Sequence, residues 1–250
     1  MSQGDDYRVP VRADRELRED ATQARGAYGT DNRRPVNIIK HLQSGWIPTR
    51  KGRRHLIYRV ADDAEMGDKD GRTEFTHDTV IITVKKSVHD KAYWGDGRSR
   101  MTLAHELAHG VLHYGVTMYR STNATGTTAL SRLNAAESAE HQAKVFAAAF
   151  LIDDKVAATL SSPEEISLEF VVSLEAAQIC FERLADEAER ALSAERVRLS
   201  NEAYQREMRG KQEPTFNYLR DPCGICGKAT LIPMGVKALC HTCGGITDLS

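Results

Sequence analysis

The sequence predicts an α+β fold, mainly helical with a small β-sheet, continued by a helical extension and closed by a module built on cysteines. Three observations predict it. Two β-rich runs, "HLIYRVA" and "DTVIITVKK", stand close enough to pair. Helical apolar periodicity follows in "RMTLAHELAHGVLHY" and "LNAAESAEHQAKVFAAAFLI". Two C-x2-C pairs then lie near the end of the chain. At 250 residues and 41% hydrophobic content, the chain can bury one sizeable core with an appendage. The expected organisation is a mobile N-terminal arm over 1–30, a core domain over 31–160, a helix-turn-helix-like and long helical segment over 161–210, and a zinc ribbon over 211–250.

Lys and Arg total 34 against 35 for Asp and Glu, so the net charge of -1 gives no chain-wide attraction to nucleic acid. Nucleic acid is therefore only weakly supported as a partner. No apolar run approaches the roughly 20 residues that span a bilayer, and the N-terminus lacks the apolar core of a secretory signal. A cytoplasmic protein without membrane contact is expected.

The first 30 residues are rich in charge and poor in large apolar groups, which favours a solvated arm. Asp31 can cap and Pro35 can open a short helix ending near Gly45, with Ile38, Ile39 and Leu42 as its apolar face. The two strands are separated by the acidic loop "DDAEMGDKDGRTE", and the first metal-type helix runs from Arg100 to Tyr114. "TMYRSTNATGTTALSR" breaks the periodicity as a loop, and a second helix runs from about Leu133 to Ile152. Ser162 caps and Pro163 opens a helix ending near Val172. Ser173 caps a longer one with Leu174, Ala177, Phe181, Leu184, Ala188 and Ala191 at helical spacing, charged in its far half to about Arg209. Cys180 on that stripe reads as an inert core thiol. Two helices joined by a tight turn fit a helix-turn-helix and a packed helical hairpin equally well.

His105, Glu106 and His109 form H-E-x-x-H. Residues four apart lie one turn apart on the same helical face, so both imidazoles can reach one ion, for which zinc is the default and manganese the alternative. Glu106 is placed beside the first ligand as a general base would be. His113 is about 12 Å along the axis from His105 and cannot share a metal with ligand bonds of about 2 Å. The third ligand must come from elsewhere. On the second helix, Glu140 shares a face with Ala143 and Ala147, where a carboxylate pointed into a close helix contact needs a cation to pair with it. The expected set is His105, His109 and Glu140 with water in the fourth position, a donor set suited to amide hydrolysis. His113, Tyr114 and Tyr119 are candidates for an outer-sphere or oxyanion role.

The ordered motifs "RMTLAHELAHGVLH", "EHQAKVFAAAFLI" and "FVVSLEAAQICFERL" resemble the ImmA/IrrE metallopeptidases over roughly residues 35–185. The resemblance implies a zincin-like metallopeptidase core of the gluzincin type, zinc on His105, His109 and Glu140, and Glu106 as catalytic base. It also implies a protein substrate, a helix-turn-helix transcriptional repressor whose cleavage relieves repression of stress-response or mobile-element genes. The chain differs from the pattern at Ala108, at Lys144, and at Ile152 and Asp153. With Lys144 in place of an Asn or Asp, a partner for a zinc histidine is either absent or supplied elsewhere.

Cys223, Cys226, Cys240 and Cys243 are two C-x2-C pairs flanking a hairpin that turns near Gly235. Four thiolates close a tetrahedron, so this second zinc is expected to be structural. The alternative to a peptidase is a non-enzymatic DNA- or protein-binding regulator that uses the helix-turn-helix-like segment and the ribbon.

Overall fold

The computed structural model describes residues 6–30, 35–116, 119–120, 134–210, 220–235 and 237–248. The chain divides into two units, Met1–Ala188 and Glu189–Ser250.

The sheet of the first unit is built from β2 (Trp46–Thr49), β3 (Gly52–Ala61), β4 (Gly71–Phe75) and β5 (Thr79–Lys85), in the order β2-β3-β5-β4. β3 and β5 are the two predicted strands, and they pair in parallel with Tyr58 opposite Ile82. β2 and β4 add antiparallel partners at the two edges. Val80, Ile82 and Val84 alternate onto one face and are fully buried, the period-2 pattern of a strand with one face on a core. Between β3 and β4 lies the short helix α3 (Asp63–Met66), so the acidic segment is a helical turn and an edge strand where a loop was expected.

The expected mobile arm is also corrected. Residues 7–8 form β1, paired with β6 (Tyr119–Arg120), and Asp14–Ala27 form helix α1. Leu17, Ala21 and Ala24 recur at helical spacing and sit in the core, which overrides the charge of the remaining positions. Helix α2 spans Ile38–Leu42 with Asn37 as its cap, accepting from the Lys40 N–H at 3.0 Å. The cap expected at Asp31 lies outside the described residues, as does most of the predicted loop after Val116.

Helix α4 (Lys86–Tyr93) leads to α5 (Gly97–His113), whose cap Asp96 accepts from the Ser99 N–H at 2.8 Å. Leu103, Ala104, Leu107 and Ala108 are fully buried along α5. Helix α6 (Ala139–Leu151) starts at Ser138, whose hydroxyl accepts from His141 N–H. Ala143 and Ala147 are fully buried, and these small residues allow α6 to pack closely on α5. After α7 (Asp154–Ala157) come α8 (Pro163–Phe170) and α9 (Leu174–Gly210), joined through Val171 in the left-handed region at φ 52°. Ile166, Phe170, Val172, Ala177 and Cys180 belong to the core of the first unit. The helical pair thus completes that core, and the division between units falls inside α9. Burial pushes the Cys180 thiol pKa up, in keeping with an inert thiol.

Arg100 holds this junction. Its buried guanidinium donates to the carbonyls of Val171 at 2.8 Å, Val36 at 2.9 Å and Phe170 at 3.4 Å. Beside it, a Cβ on Gly97 would stand 2.3 Å from the backbone of Val172 and Ser173, so only glycine fits there.

The second unit carries β7 (Leu231–Met234), β8 (Lys237–Cys240) and β9 (Ile246–Asp248) in one antiparallel sheet. Its small core is Cys223, Leu231, Ala238 and Cys240. Among the described residues, no helix is long and apolar enough to cross a membrane.

Candidate metal centre

α5 and α6 bring three donor groups together. His105 Nε2 lies 3.1 Å from His109 Nε2, and Glu140 reaches the first with Oε2 at 3.1 Å and the second with Oε1 at 3.3 Å. A tetrahedron on metal bonds of about 2.0–2.1 Å has edges of about 3.3–3.4 Å. The spacing therefore fits one divalent ion. The side chains of His105, His109 and Glu140 are 19%, 15% and 34% exposed, which leaves the site within reach of an external molecule.

The electrostatics agree. Burial pushes the Glu140 carboxyl up, but hydrogen bonds from His105 and His109 outweigh it and hold the group well below the usual carboxylate range. Burial pushes His109 down, while the Glu140 hydrogen bond and the charges of Glu106, Glu140 and Asp6 carry it upward. The pocket favours positive charge at His109. A divalent cation would supply it.

Glu106 is buried at the back of the site, where Thr73 on β4 donates its hydroxyl to Glu106 Oε2 at 2.6 Å and lies 3.0 Å from its backbone carbonyl. Gly71 on the same strand is the close approach, since a Cβ there would meet Glu106 Cγ at 2.6 Å and Oε1 at 2.8 Å. Gly71→Ala is expected to push the whole Glu106 side chain aside, since its Cγ, Oε1 and Cδ are the nearest atoms to the added methyl and all stand within 3 Å of it. Under a catalytic role for Glu106, a displacement of about 1 Å would cost on the order of 100-fold in rate. Turnover measured beside the melting temperature checks this: equal loss of both would assign Gly71 to stability alone.

His113 is buried beside His109, with Nδ1 3.0 Å from His109 Nδ1. Burial, then the neighbouring His109 charge, lowers its pKa to about 3, so it is a neutral ring. Lys144 is exposed, and His113 stands as the partner of His109 instead. The Tyr114 hydroxyl donates to the His77 carbonyl. The Tyr119 side chain lies outside the described residues. The contacts made by Thr73 and Gly71 were missed from sequence. "GRTEF" does carry an alternating strand signal, obscured by the acidic run before it.

In the second unit, Cys223 Sγ and Cys243 Sγ lie 3.8 Å apart and Cys226 Sγ and Cys240 Sγ 3.6 Å apart. Zinc–sulfur bonds of about 2.3 Å give a tetrahedral edge of about 3.8 Å. All four thiols offer ligand atoms to one point, the second of two such clusters among the described residues. A contact with the Thr230 hydroxyl at 3.4 Å helps lower the Cys240 thiol to about 6, toward the thiolate that binds metal.

Two imidazoles one helical turn apart, a carboxylate from the neighbouring helix and a glutamate beside the first imidazole define a metallopeptidase-type site. Residues 61–182 match the model of the IrrE N-terminal-like domain, Peptidase_M78, a match that supports the resemblance to the ImmA/IrrE family. No curated protein matches the chain.

Proposed function

We propose that the chain is a zinc-dependent endopeptidase that cuts a regulatory protein, a helix-turn-helix repressor, with Glu106 as general base. The observation that carries the reading is the convergence of His105, His109 and Glu140 at 3.1–3.3 Å beside a buried glutamate. A divalent metal in such a donor set supplies Lewis acidity toward a carbonyl and a water. Glu106 takes the proton of the attacking water and returns it to the leaving amine, and Thr73 keeps its carboxylate from swinging out of line.

β4 has one sheet neighbour, β5, among the described residues. Its free edge can accept an extended peptide as an added strand, which brings a scissile bond past the residue that anchors Glu106. The four-cysteine cluster is read as a structural zinc site that stabilises a segment with a four-residue core.

The test is cleavage of the helix-turn-helix protein encoded in a neighbouring reading frame, followed by mass spectrometry of the fragments. Cutting at one bond that stops on chelation and returns with zinc is the expected result. An intact partner in the presence of fully metallated protein would overturn the substrate assignment.

A further inference from the structure

Residues 6–12 run beside residues 134–142, and their hydrogen bonds end on the groups that present two of the three ligands. Val9 N–H donates to the Glu137 carbonyl at 2.8 Å and Arg12 N–H to that of Ala136 at 3.0 Å, while the Arg8 guanidinium meets Glu137 at 2.7 Å. The Asp6 carboxylate accepts from the Ser138 hydroxyl at 2.6 Å and from the Glu140 N–H at 3.2 Å. It thereby fixes the first turn of α6, where an anion also complements the helix dipole.

A second line starts at the Pro10 carbonyl. It accepts from Gln142 Nε2 at 2.9 Å, and the other N–H of that amide goes to the Ala136 carbonyl at 2.7 Å. With both N–H groups committed, Gln142 Oε1 can only accept, and it faces His113 Nε2 at 3.4 Å. His113 then carries its proton on Nε2 and turns the lone pair of Nδ1 toward His109 Nδ1. With a cation at the site, His109 would hold its proton on Nδ1 and turn the lone pair of Nε2 to the ion, beside His105 and Glu140. That single assignment satisfies every group from Pro10 to His109 once a cation takes the place of the Nε2 proton.

We propose that residues 6–12 form a strap that sets the geometry of the metal centre, holding His109 through Gln142 and His113, and Glu140 through Asp6. This rests on reading His105, His109 and Glu140 as metal ligands. Asp6, Gln142 and His113 are then positioning residues, and whatever lifts the strap loosens the metal.

Cobalt titration of the full chain against a competing chelator tests the strap without reference to activity. The nitrogen and oxygen site is distinguished from the cysteine site by the absence of thiolate charge-transfer bands. His113→Phe and Gln142→Leu should each weaken cobalt binding at the histidines by about 10–100-fold, the usual cost of losing a partner behind a metal ligand. Because they lie on one line, the double variant should be no weaker than His113→Phe alone, whereas Asp6→Ala should add to it. His113→Asn, whose Oδ1 stands where Nδ1 was, should retain most of the affinity. An unchanged cysteine-site signal and melting curve show that the variants are folded. Should Gln142→Leu unfold, Gln142→Met removes the same hydrogen bonds at closer shape. Unchanged affinity in the folded variants, or simple addition along the line, would overturn the strap. A wild-type chain that takes cobalt only at its cysteines would overturn the metal-centre reading itself.

Discussion

Glu106→Gln is expected to lower kcat/KM by about 100- to 10,000-fold, the usual contribution of a positioned proton-transfer group. The fall should appear in kcat, with KM and both metal sites retained. The substitution is nearly isosteric, and the Thr73 hydroxyl that donates to Glu106 Oε2 at 2.6 Å can donate equally to an amide carbonyl. The buried position loses a negative charge and keeps its shape. A Glu106→Gln enzyme that cuts at the wild-type rate would remove the general base from the mechanism. Glu140→Ala should give the complementary outcome, losing one metal equivalent while the cysteine site stays filled.

The largest effect on stability is expected from Gly97→Ala. The added methyl would sit 2.3 Å from the Val172 carbonyl carbon and the Ser173 nitrogen. These are backbone atoms at a helix junction and cannot rotate away, so α5 and the α8–α9 turn must separate. The same junction buries Arg100 and holds Val171 in the left-handed region, where a β-branched residue is already unfavourable. Overpacking of this kind costs about 3 kcal/mol or more, and at about 2–4 °C per kcal/mol for a domain of this size the melting temperature should fall by about 6–12 °C. Calorimetry of the full chain measures it. A shift under about 2 °C would mean that the junction is looser than the packing around Arg100 indicates.

The parts of the site legible in the sequence are those encoded locally. His105, Glu106 and His109 follow from helical spacing alone. Glu140 followed from a stripe of small residues, and the structure places it within 3.3 Å of both histidines. His113 was legible as a residue outside the ligand set, and its place behind His109 is set by the packing of α6, which brings Gln142 to it. The strap was illegible for a physical reason: it is held by main-chain groups such as Val9 N–H and the Pro10 carbonyl, which carry no side-chain signature. α1 was hidden because its buried side consists of Leu17 and small alanines set among charges. The edge strands β2 and β4 are short, and Pro48 in β2 and the acidic approach to β4 mask them. The register of the four strands depends on pairing across the chain, which composition does not encode.

The strap also sets the order in which the protein can be built. Asp6 meets Ser138 across 132 residues of sequence, and Arg100 meets Val171 across 71. Contacts of such separation form late, since a long loop must close before they stabilise anything. During synthesis at about 5–20 residues per second, the first-made segment waits several seconds or more for the partner that fixes it. Helix α5 emerges with His105 and His109 already in register, yet the candidate centre is assembled only when α6 and residues 6–12 have reached it. On the proposed ligand set, metal capture waits for α6, and a chain interrupted before it would carry the H-E-x-x-H motif without its carboxylate ligand.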